Sequence, residues 1–149
     1  MENQPRPLAL YGLIFCLIIL AGGGLIGGAA FLLDPTGGLL KISRDILRDL
    51  PINDFILPGF LLFTIMGLFP LFLVYALWKQ PHWPFVNRII GPHPLHWSWR
   101  FSLGLAILLI IWIDVEFLLF GYQAPIQIVM GILGFVMIAL CLLPSLRDF

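Results

Sequence analysis

The chain has 149 residues, of which 60% are hydrophobic and only 11% charged, with a mean hydropathy of +1.02. Soluble domains carry about 25% charged residues, and here the apolar residues are gathered into long runs, so hydrocarbon is the solvent for much of the chain. Eight Lys and Arg balance eight Asp and Glu with no basic tract, which argues against nucleic-acid binding, and the length leaves no room for a separate soluble catalytic domain.

The first apolar run, residues 8–33, follows "MENQPRP". It is too long for the core of a signal peptide and lacks a clear cleavage site, so a retained membrane span is predicted. Within it, "AGGGLIGGAA" sets Gly23 and Gly27 one turn apart, and likewise Gly24 and Gly28. Such small-xxx-small patterns let helix backbones approach closely. They serve contact within the chain, pairing of two copies, or docking onto a larger membrane complex.

The connection 34–54 opens on the turn-forming run Asp34-Pro35-Thr36-Gly37-Gly38. Leu39, Leu40, Ile42, Ile46, Leu47 and Leu50 then recur at helical spacing, with Lys41, Arg44, Asp45, Arg48 and Asp49 on the other side. This predicts a short amphipathic helix lying on the membrane face or capping the bundle. The second span is predicted over 55–78, with Pro58 in its first turn and Pro70 kinking its cytoplasmic half.

The connection "KQPHWPFVNRIIGPHPLHWSWR" holds four prolines and His82, His93 and His96. Its prolines preclude a long helix. No Cys, Asp or Glu in the loop completes a metal set, so interfacial anchoring by Trp, His and Arg88 is expected, with no metal or other cofactor. The third and fourth spans are predicted over 99–120 and 125–143, joined by a tight turn. In the fourth, Gly131 and Gly134 offer a second small surface. Cys16 and Cys141 fall inside apolar runs without zinc or redox spacing and read as buried hydrophobes. The fold class is therefore all-α: a single four-helix transmembrane bundle with a short amphipathic helix in its first loop.

Four spans put both termini on one side. That side carries Arg6, Lys79, Arg88, Arg100 and Arg147, against Lys41, Arg44 and Arg48 on the other. The excess of basic residues predicts cytoplasmic termini.

The polar residues inside apolar sequence are the candidate site. Asp114 and Glu116 lie in "IIWIDVEFLLFGY", and Gln127 opens the fourth span. By depth, the glycine cluster, both acids and the amide all fall beneath the predicted cap. Residues two apart point about 200° apart on a helix, so the two acids do not form one compact pair. Glu116 is placed to snorkel toward the outer interface or to meet Lys41, Arg44 or Arg48 from the cap; Asp114 is the deeper and costlier charge. A structural ion pair, a ligand or proton site, and plain interfacial placement are the three readings.

The segments "LLDPTGG", "LPINDFILPGFLLF", "IWIDVEFLLFGY" and "PIQIVMGILG" together resemble a group of small bacterial four-span membrane proteins. In that group an Asp-Pro-(Ser/Thr)-Gly turn and a Phe-(Ile/Leu)-(Ile/Leu)-Pro-Gly opening of the second span recur. The likeness covers most of the chain. It implies the four-span topology in a bacterial cytoplasmic membrane. It also makes Asp34, Pro35, Gly37, Asn53, Asp54, Phe55, Pro58 and Gly59 shared elements of the loop face. The group has no established activity, so the resemblance transfers no catalytic residue.

The leading functional expectation is a non-enzymatic accessory or scaffold protein that contacts lipid and packs against itself or a larger membrane complex. The alternative is a small dimeric, proton-coupled carrier using Asp114 or Glu116. An intramembrane lipid-modifying enzyme comes third, because no histidine lies at the depth of the acids and no hydrolase, metalloprotease or phosphate-loop motif is present.

Overall fold

The structure is a computed structural model that describes residues 5–148. Among these residues every regular element is helical. Four helices are long and apolar enough to cross a membrane: α1 (Leu8–Leu33), α2 (Ile56–Lys79), α4 (Trp97–Phe120) and α5 (Pro125–Leu142). The short helices α3 (Pro84–Ile90) and α6 (Pro144–Arg147) complete the set. Backbone polarity in hydrocarbon leaves the helix as the only open-chain way to cross, and the spans fall within about two residues of their expected bounds. Helices α3, α5 and α6 each begin with proline at their first position, where the missing N–H costs nothing. The chain is an integral membrane protein built as one four-span bundle.

The closest helix approach is between α1 and α2. Pro70 has no N–H, so the Met66 carbonyl lacks its usual α-helical donor. The turns before it widen into a π-helical segment, Leu62–Leu68, closed by the Phe69 N–H donating to the Thr64 carbonyl. The expected disturbance at Pro70 thus takes the form of a π segment on its N-terminal side. Gly24 rests directly on that segment, where an added Cβ would collide with the Met66 carbonyl. Gly28 rests on Phe63 in the same way, with its Cβ position 2.5 Å from the Phe63 nitrogen, and Gly59 and Gly67 of α2 answer from the other side, against Phe31 and Leu25. The seam anticipated from "AGGGLIGGAA" is filled from within the chain.

The other contacts are looser. Gly134 of α5 is tight against Ile110 of α4, at 2.8 Å for an added Cβ, while Gly131 has ordinary room, at 3.7 Å from Ile113. Helices α1 and α5 meet at both ends of their seam, through Gly12 beside Leu140 and Gly23 beside Met130. The core, including Leu10, Leu13, Leu17, Leu73, Ala76 and Met137, fills the half of the bundle nearer the termini.

At that terminal end, tryptophan and arginine donors satisfy carbonyls that helix C-termini leave open. Trp99 Nε1 donates to the Cys141 carbonyl at 2.8 Å, Arg6 to Trp78 at 3.2 Å, and Arg100 to Ile90 at 3.3 Å. The Arg6 guanidinium also lies 3.8 Å over the Trp78 ring. Trp83 and Trp97 stack with centroids 5.4 Å apart, and Phe72 stacks on both.

At the opposite end, residues 34–55 form the cap. Its helical segment is present in a different form from the single amphipathic helix expected. Two 3-10 turns, Gly38–Leu40 and Arg44–Leu47, are separated by Lys41 in the left-handed conformation at φ +55°. A segment this short gains too few hydrogen bonds to hold an α-helix, and Ser43 Oγ caps the second turn by accepting from Asp45 N. The two-faced character survives: Leu47 is buried, Ile42 and Ile46 are half-buried, and Arg44, Asp45 and Arg48 are exposed. The hinge is Asp34, whose carboxylate accepts from the Thr36 hydroxyl at 2.5 Å, Thr36 N at 3.1 Å and Leu39 N at 3.1 Å.

Two predictions follow from this packing. Gly24→Ala should cost about 1–3 kcal/mol in detergent thermal unfolding despite alanine's better helix propensity, whereas Gly22→Ala, in open space, should cost nothing. The second concerns pH. The Thr36 hydroxyl, with backbone N–H groups of Thr36, Leu39 and Gly38, holds the Asp34 carboxyl below its ordinary value. A depressed carboxylate contributes stability that is full above its unfolded pKa and lost as pH falls through the folded one. Hydrogen exchange in 34–42 should therefore stay constant from pH 7 to about 5 and quicken below about 4, with Asp34→Asn abolishing the dependence.

Candidate functional site

Between the cap and the packed core lies a cavity of about 570 Å³. Its roof is the apolar side of the cap, including Leu40, Ile42, Ile46 and Leu50, and its floor is set by Leu20, Met66, Leu109 and Met130. Gly23, Gly24 and Gly27 form part of the α1 wall, where neighbouring atoms of Met130, Met66 and Leu62 close against them. The cap holds its place through Phe55, which stacks on Phe31 with centroids 4.8 Å apart and donates its N–H to the Pro35 carbonyl at 3.0 Å.

One polar cluster interrupts the apolar lining. Glu116 on α4 is half-buried and reaches the cavity. Trp112, one turn earlier, donates its indole N–H to Glu116 Oε1 at 2.6 Å. Gln127 is 5% exposed, and its amide nitrogen reaches the other carboxylate oxygen at 3.4 Å. Its amide oxygen accepts from the backbone of Gln123 at 2.7 Å and of Ala124 at 3.4 Å, so Gln127 caps the start of its own helix. Gln123 closes the turn by donating to the Phe120 carbonyl. The cluster offers a fixed carboxylate with spare accepting capacity, facing hydrocarbon-like walls.

The anticipated site residues divide clearly. Glu116, Gln127, Gly23, Gly24 and Gly27 come together around the cavity. Gly28, Gly131 and Gly134 serve helix contacts. Asp114 lies exposed and outside the cavity wall, because two residues of helix turn it to the other side. The meeting of Glu116 with the cap arginines does not occur. Arg48 pairs with Asp45 at 2.8 Å, and Arg44 donates to the Asn53 carbonyl at 3.2 Å, both on the exposed side of the cap. The apolar side of the cap faces the cavity, so its arginines point away from Glu116.

Trp112 was not foreseen as a site residue. Its signal in "WIDVE" was the four-residue spacing to Glu116, which puts an indole donor one turn below the carboxylate. At the terminal end, His82, His93 and His96 surround a smaller hollow of about 320 Å³ with Arg147 and Asp148. His96 Nδ1 accepts from Ser98 N at 3.3 Å to cap α4, and burial, first among the causes, holds its imidazole below the ordinary value. Among the described residues no three His, Cys, Asp or Glu side chains are grouped so as to hold a metal ion.

Comparisons with protein-family models, with curated proteins and with solved structures return no match. The site is therefore read from its own chemistry. Glu116→Leu should destabilise the protein by about 1–3 kcal/mol, because it strands the Trp112 N–H and the Gln127 amide. Glu116→Gln, which keeps an acceptor, should cost less, and Asp114→Leu should cost nothing, as measured by unfolding in detergent micelles.

Proposed function

We propose that this is a small non-enzymatic membrane protein, accessory in kind, that holds an apolar guest beneath its cap. The observation that carries this reading is the cavity: about 570 Å³, within the range of about 300–1,000 Å³ of small-molecule sites, and apolar except for one convergent polar cluster. An amphipathic roof and a packed floor bound that volume. An accessory role exercised through the glycine seam is the weaker form, since α2 of the same chain fills it.

A carrier would need the floor to open. Leu20, Met66, Leu109 and Met130 are all under 10% exposed, and the packed core lies beneath them, which favours holding over passage. The count of five basic residues against three supports cytoplasmic termini and a cap on the outer face of a bacterial cytoplasmic membrane.

Native mass spectrometry of the full chain from lipid nanodiscs tests this reading, with dodecanol as probe. The wild type should bind one equivalent. Gly23→Phe, which adds a ring at the cavity wall where a Cβ meets the flexible end of Met130, should reduce binding to background while unchanged helical circular dichroism reports an intact fold. Absence of stoichiometric binding to the wild type, or equal binding to the variant, sinks the proposal.

A further inference from the structure

The four helices form a ring that is closed unevenly. Helix α1 packs along both halves of α2, but α4 packs against the Phe69–Lys79 half and makes no substantial contact with the half before it. Phe101 of α4 meets Phe69 edge-on, with centroids 5.9 Å apart and planes at 88°. Leu119 stands about five turns further along the same edge, and Val115 is beside it. Both line the cavity, yet they are 51% and 44% exposed. At the cap end the bundle is thus open sideways between α2 and α4, at the level of Glu116.

The chemistry inside the gap has a sign. A carboxylate accepts up to about four hydrogen bonds. Glu116 has one short bond, from Trp112, and one long bond of 3.4 Å, from Gln127. Both donors are neutral. No Lys, Arg or His lines the cavity, and the cap arginines are engaged elsewhere. A carboxylate among apolar walls is stabilised by a counter-charge that also donates hydrogen bonds. An anionic head meets no cation there, and a plain hydrocarbon leaves the free oxygen positions unfilled.

We propose that the gap between α2 and α4 is a lateral portal. Through it the cavity takes from the adjoining leaflet a single-chain amphiphile with a protonated amine head, which seats on Glu116. This rests on the reading of the cavity as a binding site and adds the head chemistry and the route.

The test uses the full chain in phosphatidylcholine nanodiscs at pH 7, titrated with dodecylamine, dodecanol and dodecanoate. Dodecylamine should bind about ten-fold more tightly than the other two, as a charge-assisted hydrogen bond implies. Glu116→Gln should remove that preference while still binding dodecanol, and Asp114→Asn should leave it intact. Val115→Phe, in the exposed gap, should slow uptake of a bromine-tagged dodecylamine, followed by quenching of Trp112, several-fold. Equal affinity for the three probes, or an undiminished amine preference in Glu116→Gln, overturns the head assignment. Unchanged uptake by Val115→Phe overturns the portal. Binding of no probe at all overturns the binding reading itself, so the failures are distinguishable.

Discussion

The contact between Gly24 and the Met66 carbonyl governs the rest of the bundle. Proline at 70 deprives that carbonyl of its α-helical donor, the preceding turns widen into a π segment, and a glycine on α1 closes against the exposed backbone. Close backbone approach is the main cohesive resource inside a bilayer, where apolar side chains gain little by leaving lipid for protein. Because α1 and α2 are locked together along their length, α2 follows α1 at the cap end instead of closing onto α4. The cavity is the volume left by that choice.

A cavity of this kind must be kept open against collapse, and its boundaries are suited to that. The roof is irregular backbone, tolerable because it lies at the end of the bundle and carries its own hydrogen bonds through Asp34, Ser43 and Gly37. The floor is densely packed. The one acidic group in the wall is tied to two side chains that are themselves fixed, Trp112 by the helix turn and Gln127 by the backbone it caps. A carboxylate held in this way is preorganised, which lowers the ordering cost of receiving a partner.

The two ends of the molecule solve different problems. At the terminal end, indole and guanidinium donors close three helix C-termini and stacked aromatics fill the space between them. That is the arrangement of an anchor at a membrane interface. At the cap end the helix contacts are incomplete. Packing is thus denser at the terminal end than beside the cavity.

The residue order specifies the four spans, their succession and most of their bounds, because lipid imposes a length and a hydropathy that residues state directly. It also placed Glu116, Gln127 and the α1 glycines at one depth, since rise per residue converts position into height. Which of the residues at that depth face one another emerges when the helices pack. Asp114 and Glu116 differ by two positions and end on different sides of α4. Arg44 and Arg48 stand near Glu116 in depth but find their partners in Asn53 and Asp45 on the exposed side of the cap. Which pair of helices stays open could not be read from composition either, because every apolar face is equally content against lipid or protein. That opening was set by a backbone event, the π segment before Pro70 meeting Gly24, whose consequence appears only when the helices are assembled.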